Sequence, residues 1–157
     1  MASANNNTFS YDDSKVPNGK DLRIALIVAQ WNKTITDKLF QGAKKTLLEH
    51  NVMAENIVKF EVPGSFELIY GACQAQAQNF DVVIAIGCII QGETRHFEFI
   101  GNAVAQGIKD LNLNGKSPVI FCVLTDDNIR QSQARSGGKF GNKGAEAAIA
   151  ALRMILL

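Results

Sequence analysis

Cysteine, proline and tryptophan are scarce in this chain of 157 residues, at three, three and one. Cys73, Cys88 and Cys122 are an odd, widely spaced set with no CxxC pair and no Cys/His ligand spacing. That pattern argues against a disulfide framework and a structural metal, and for buried free thiols in a reducing compartment. Charge of one sign is also missing: 16 Lys and Arg face 15 Asp and Glu, a net of +1. Nothing in that balance calls for nucleic acid or a membrane surface as partner. No apolar run approaches the roughly 20 residues of a membrane-spanning helix. A basic start followed by an apolar stretch is absent, so no secretory signal is read and a cytoplasmic location is expected. An organelle form trimmed of its transit peptide would read the same. Residues 1–20 are rich in Asn, Ser and Asp without periodicity, and a flexible arm is expected there. Residues 21–157 are expected to form one domain.

Hydrophobic residues make up 46% of the chain, enough for a full core. Four apolar runs, 23–29, 58–62, 82–87 and 119–124, read as strands. Three are almost continuously apolar, as parallel strands covered on both faces must be. The run 58–62 is broken by Lys59 and Glu61 and is expected nearer an edge. Between the strands, Ile35, Leu39, Ala43 and Leu47 recur every four residues, with Asn51 placed to end that helix. Phe97, Ile100, Val104, Ile108 and Leu111 share a second helical face, and Ala145, Ala148, Ile149, Leu152 and Ile155 mark the last helix. A short helix near 129–136 would be capped by Asp127 or Asn128. Alternating strands and helices imply a three-layer α/β sandwich of flavodoxin-like type, a four-stranded parallel sheet with helices on both faces. Ligands of such sheets bind outside the carboxyl ends of the strands. The loops 30–34, 63–67, 88–96 and 125–128 are therefore candidates, with the glycine- and lysine-rich segment 136–144 as a fifth.

The segment Gly87-Cys88-Ile89-Ile90-Gln91-Gly92-Glu93-Thr94-Arg95-His96 is the most informative. It joins a strand to a helix start, where unpaired N–H groups attract an anion, and it carries a histidine. It mimics a P-loop, but Glu93 stands where the phosphate-binding lysine belongs, which argues against nucleotide hydrolysis. His96 is either a satisfied polar residue or a proton carrier; an imidazole can both give and take a proton, and its place in this turn favours the carrier. Cys88 reads as a buried thiol, with a nucleophile as the alternative. Trp31 and Phe66 are either packing residues or flat surfaces for an aromatic ligand; composition favours packing, position at strand ends favours stacking. Glu67 is either a helix-start acid or an acceptor for a polyhydroxylated ligand. Arg130, Arg135, Lys139 and Lys143 read as a solvated helix end or as cations completing an anion pocket.

Four ordered blocks carry a resemblance: Trp31-Asn32, Val62-Pro63-Gly64-Ser65-Phe66-Glu67, Gly92-Glu93-Thr94-Arg95-His96 and Gly141-Asn142-Lys143-Gly144-Ala145-Glu146. From about Leu22 to Leu152 the chain resembles the 6,7-dimethyl-8-ribityllumazine synthases of riboflavin biosynthesis. The resemblance implies condensation of 5-amino-6-(D-ribitylamino)uracil with 3,4-dihydroxy-2-butanone 4-phosphate, with no cofactor and no metal. On this chain, Trp31 would stack on the pyrimidine, Ser65, Phe66 and Glu67 would hold the ribityl side, and the backbone of Cys88, Ile89 and Ile90 would line the ring. Glu93 and Thr94 would take the phosphate together with Arg135, and His96 would transfer protons. Phe121 and Lys143 match further pyrimidine contacts. The resemblance also implies a homopentamer with sites between neighbours, into which Phe121, Arg135 and Lys143 reach from the adjacent chain. The short 136–140 segment favours twelve pentamers in a hollow shell, with riboflavin synthase as a partner. Trp31 where many members have Phe, and Arg95 where a small polar residue is common, are the departures. A non-catalytic flavin or lumazine carrier and a packaging cage are the competing functions. A phospho-receiver domain needs acidic residues after the first strand, where Gln30 stands.

Overall fold

The computed structural model describes Asp12 and residues 15–157. At its centre β1 (Ile24–Ala29) lies between β2 (Ile57–Val62) and β3 (Val82–Ile90), with β4 (Val119–Asp126) beyond β3; all pair in parallel, in the order β2-β1-β3-β4. A strand covered on both faces needs an apolar residue at every position. β1 meets that requirement, and all six of its residues are buried. β2 has one neighbour only, which is why Lys59 and Glu61 are tolerated on it, as its sequence led us to expect.

Among the described residues five α-helices cover the sheet: α1 (Lys33–Glu49), α2 (Leu68–Ala77), α3 (His96–Asn114), α4 (Ile129–Arg135) and α5 (Lys143–Met154). Side chains alternate across a strand, so each strand feeds two cores. Ile24, Leu26, Val28, Ile84 and Ile86 meet Leu39 and Leu47 of α1 and Ala148 and Leu152 of α5. Ala25, Ile27, Val83 and Ala85 meet Leu68 and Ala72 of α2 and Val104 and Ile108 of α3. The fold is the α/β sandwich with helices on both faces that the pattern implied. Leu26 is fully buried in the first core, and Leu26→Ala is expected to cost about 2–5 kcal/mol in chemical denaturation, transfer and cavity together.

Asparagine side chains set several boundaries. Asn51 follows α1 in the left-handed region, φ 67°, a conformation asparagine tolerates better than most residues. Asn128 caps α4 by accepting from the Gln131 N–H. Asn142 caps α5 through the N–H groups of Gly144 and Ala145 and donates its amide to the Lys38 carbonyl at 2.9 Å, tying α5 to α1. A Cβ at Gly144 would strike the Leu39 carbonyl, so this glycine is what lets the two helices meet.

The structure adds to the sequence reading at three places. β3 runs on to Ile90, so Gly87 lies inside a strand and cannot belong to a phosphate-wrapping loop. Its reason is close approach: a Cβ there would meet Ser65 Oγ at 2.8 Å and Leu68 Cδ1 at 2.9 Å. The 136–144 segment is not simple loop but contains a small antiparallel hairpin, β5 (Ser136–Gly138) with β6 (Gly141–Asn142). Most of the expected arm falls outside the described residues, and its described end is tied down. Val16 packs on the first core, and the Gly19 N–H donates to the His50 carbonyl at 2.8 Å. Among the described residues no helix is long and apolar enough to cross a membrane.

Candidate active site

From β1 the chain crosses to β2 on one side, and β3 pairs with β1 on the other, so the loops after β1 and β3 diverge. Such a switch point is where parallel sheets form a ligand crevice. The loop after β1 is fixed from both sides. The Gln30 N–H donates to the Val62 carbonyl at 2.8 Å and the Trp31 N–H to Pro63 at 3.1 Å, prolonging the ladder towards β2. Asn32 then turns left-handed, φ 56°, and its amide donates to the Cys88 carbonyl on β3 at 2.9 Å. Trp31, held between, is 73% exposed, and Phe66 on the next loop is 50% exposed, so neither belongs to the core. Ser65 is buried against Gly87, and Glu67 stands exposed where α2 begins.

Cys88 and Ile89 are buried at the end of β3 and Ile90 is half-buried. The Gln91 N–H donates to the Asp126 carbonyl at 2.9 Å, anchoring the exposed loop that carries Glu93 and Thr94. His96 is the first residue of α3; its N–H reaches Thr94 Oγ1 at 3.4 Å and its side chain is exposed. Among the described residues no side chain caps α3, nor α1 or α2, whereas asparagines cap α4 and α5. The partial positive charge of this helix end is thus presented to the loop. Arg95 does not point its charge into the crevice: it pairs with Glu98 at 3.2 Å and lies over the Phe99 ring at 5.7 Å.

Two of the three thiols are buried as expected, whereas Cys73 on α2 is exposed. Cys88 donates to Ser132 Oγ at 3.4 Å, and burial pushes its pKa up, the wrong direction for a nucleophile. Burial pushes Cys122 up to about 12, with the Glu146 carboxylate adding to the effect. Among the described residues no cluster of three His, Cys, Asp or Glu could hold a metal ion.

The remaining expected residues lie around β4 and the hairpin. Phe121 sits mid-strand opposite Ala85 and is 42% exposed. Arg135, ending α4, approaches Asp126 at 3.8 Å, donates to the Gln131 carbonyl at 3.1 Å and stacks over Phe140 at 5.1 Å. Lys143 binds both carboxylate oxygens of Glu146, at 2.8 and 2.7 Å. None of these partners is on the loops after β1 and β2. One chain therefore carries Trp31, Ser65, Phe66, Glu67, Cys88, Ile89, Ile90, Glu93, Thr94 and His96 at or after the ends of β1, β2 and β3, with Arg135 beside Asp126, the register partner of Ile90, while Phe121 lies on β4 and Lys143 starts α5.

A sequence model of the 6,7-dimethyl-8-ribityllumazine synthases matches residues 21–157, from before β1 to beyond α5. The chain is 56% identical over 160 residues to the 6,7-dimethyl-8-ribityllumazine synthase of Christiangramia forsetii, covering all of this chain and 95% of that protein. It belongs to this family. The enzyme of the same name from Flavobacterium johnsoniae is 56% identical over 98% of this chain and 82% of its own length. That from Porphyromonas gingivalis is 52% identical over 98% and 96%. In this lumazine synthase family member, the sequence blocks contained Asn32 but did not explain it: its amide ties the loop after β1 to β3. Asn32→Ala removes both the left-handed preference and the tie to β3, and is expected to raise KM for the pyrimidine about tenfold. Asn32→Gly, which keeps the turn and loses only the amide, should fall between in steady-state kinetics.

Proposed function

We propose that this chain performs its family's reaction at the crevice between β1 and β3. It condenses 5-amino-6-(D-ribitylamino)uracil with 3,4-dihydroxy-2-butanone 4-phosphate to give 6,7-dimethyl-8-ribityllumazine, inorganic phosphate and water. The observation that carries this reading is the exposed pair Trp31 and Phe66 beside an uncapped helix start bearing His96. The indole seats the pyrimidine, Ser65, Phe66 and Glu67 receive the ribityl chain, and the Cys88–Ile90 backbone edges the ring. Glu93 and Thr94, with the first amides of α3, hold the phosphate, and Arg135 of a neighbouring chain closes over it.

The substrate amine attacks the ketone and loses one water to form an imine. Phosphate then leaves as the α-proton is removed, the enol rearranges to a ketone, and ring closure expels a second water. Each step moves a proton, and His96, beside the phosphate subsite, is the group placed to carry it. Both reactants are reactive by themselves, so holding them together supplies most of the acceleration.

The working form is a homopentamer in which Phe121, Arg135 and Lys143 complete the adjacent crevice. In this reading they serve the adjacent crevice, and Tyr70 and Phe99 supply exposed apolar surface, 70% and 66%, suited to a neighbour. The short hairpin favours twelve pentamers in a shell, with riboflavin synthase as the partner consuming the product. Mixing both substrates and following the lumazine chromophore tests the activity. A carrier would bind product without accelerating its formation, and sedimentation separates pentamer from shell.

A further inference from the structure

Asp126 is the last residue of β4, and it is only 6% exposed. A carboxylate buried to this degree needs hydrogen bonds and a cation close by. Its Oδ2 accepts from the Ser132 hydroxyl at 2.7 Å, and Ser132, fully buried, accepts in turn from the Cys88 thiol. The donor order thiol, hydroxyl, carboxylate is fixed, because a carboxylate can only accept. That order leaves Oδ1 turned towards Arg135 Nε, 3.8 Å away. Ser132 and Arg135 are three residues apart on α4, so both face the same strand end.

The guanidinium is thereby held on several sides. Asp126 lies at its Nε edge, the Gln131 carbonyl accepts from Nη1, and the ring of Phe140 stacks against it. Among the described residues Nη2 makes no hydrogen bond. A long side chain held in one rotamer loses less freedom when it meets an anion than a free one does. Asp126 is itself fixed from the backbone, since its carbonyl accepts from Gln91 at the root of the loop carrying Glu93 and Thr94.

We propose that Asp126 is a positioning residue for the reaction, setting through Arg135 how tightly the phosphorylated substrate is held. This rests on the phosphate role given to Arg135 above. The opposite effect, in which Asp126 only offsets the arginine's charge and weakens anion binding, predicts the reverse sign.

The test is steady-state kinetics on the assembled full chain with Asp126→Asn, Ser132→Ala, Arg135→Ala and Asp126→Asn/Arg135→Ala. Asparagine keeps the volume and can still accept from Ser132. Asp126→Asn is expected to raise KM for the butanone phosphate about tenfold, leave KM for the pyrimidine unchanged, and weaken inhibition by inorganic phosphate in parallel. Ser132→Ala should act in the same direction and less. With Arg135 already removed, Asp126→Asn should add nothing to KM. The proposal is overturned if Asp126→Asn lowers or leaves KM, raises it for both substrates together, or acts equally without Arg135. Should Asp126→Asn fail to assemble, Ser132→Ala decides by the same selective rise in KM. An Arg135→Ala variant that affects both substrates alike would instead remove the phosphate role itself. A selective Arg135→Ala with a silent Asp126→Asn would sink only the positioning role.

Discussion

Replacing His96 by alanine slows lumazine formation about 10²-fold and leaves a measurable rate in the assembled protein. An aromatic amine and a ketone held within reach condense without help, and well-oriented pairs reach effective molarities of roughly 10⁵–10⁸ M. The crevice retains that contribution in the variant, because Trp31 and the loop after β1 are held by Asn32 and by the Pro63 carbonyl, not by His96. What is lost is proton transfer at the imine, elimination and ring-closing steps. The effect should fall on kcat, with both KM values within a few-fold of the parent. Complete loss of activity in a variant of normal mass would mean that the imidazole does more than move protons.

Replacing Arg135 by alanine raises KM for the butanone phosphate about 30-fold, roughly 2 kcal/mol, and changes KM for the pyrimidine little. A phosphate dianion gains charge-assisted hydrogen bonds from a guanidinium that loop amides alone do not supply. Arg135→Lys should recover only part, because an ammonium lacks the planar fork. The same alanine leaves Asp126 buried without its cation, so some loss of thermal stability accompanies the kinetic effect. Equal changes in both KM values would remove Arg135 from the phosphate subsite.

The sheet and its helices were legible because burial on two faces imposes a pattern local sequence must obey. β1 cannot be anything but apolar, and Leu39, Ala43 and Leu47 must recur at helical spacing to reach it. Gly87 misled for a definite reason. A glycine near a strand end suggests a turn, but this one is required by the side chains of Ser65 and Leu68, which come from another part of the chain. Asn32 was visible as part of a motif, yet its left-handed turn and its bond to Cys88 depend on a residue 56 positions away. The asparagine in Gly141-Asn142-Lys143-Gly144 likewise proves to cap α5 and to bridge to α1. The Cys88, Ser132 and Asp126 chain spans three elements, and no spacing in the sequence announces it.

Sharing of the site between chains is tested most directly by mixing two defective variants. His96→Ala and Arg135→Ala chains, unfolded together in equal amounts and co-assembled, should regain activity. With random assembly about a quarter of the crevices would pair an intact His96 with a neighbour's intact Arg135. Those crevices would show the parent's kcat and its KM for the butanone phosphate. Activity no higher than the mean of the two separately assembled variants, in oligomers shown to contain both chains, would place His96 and Arg135 in the same chain's crevice and contradict the shared site.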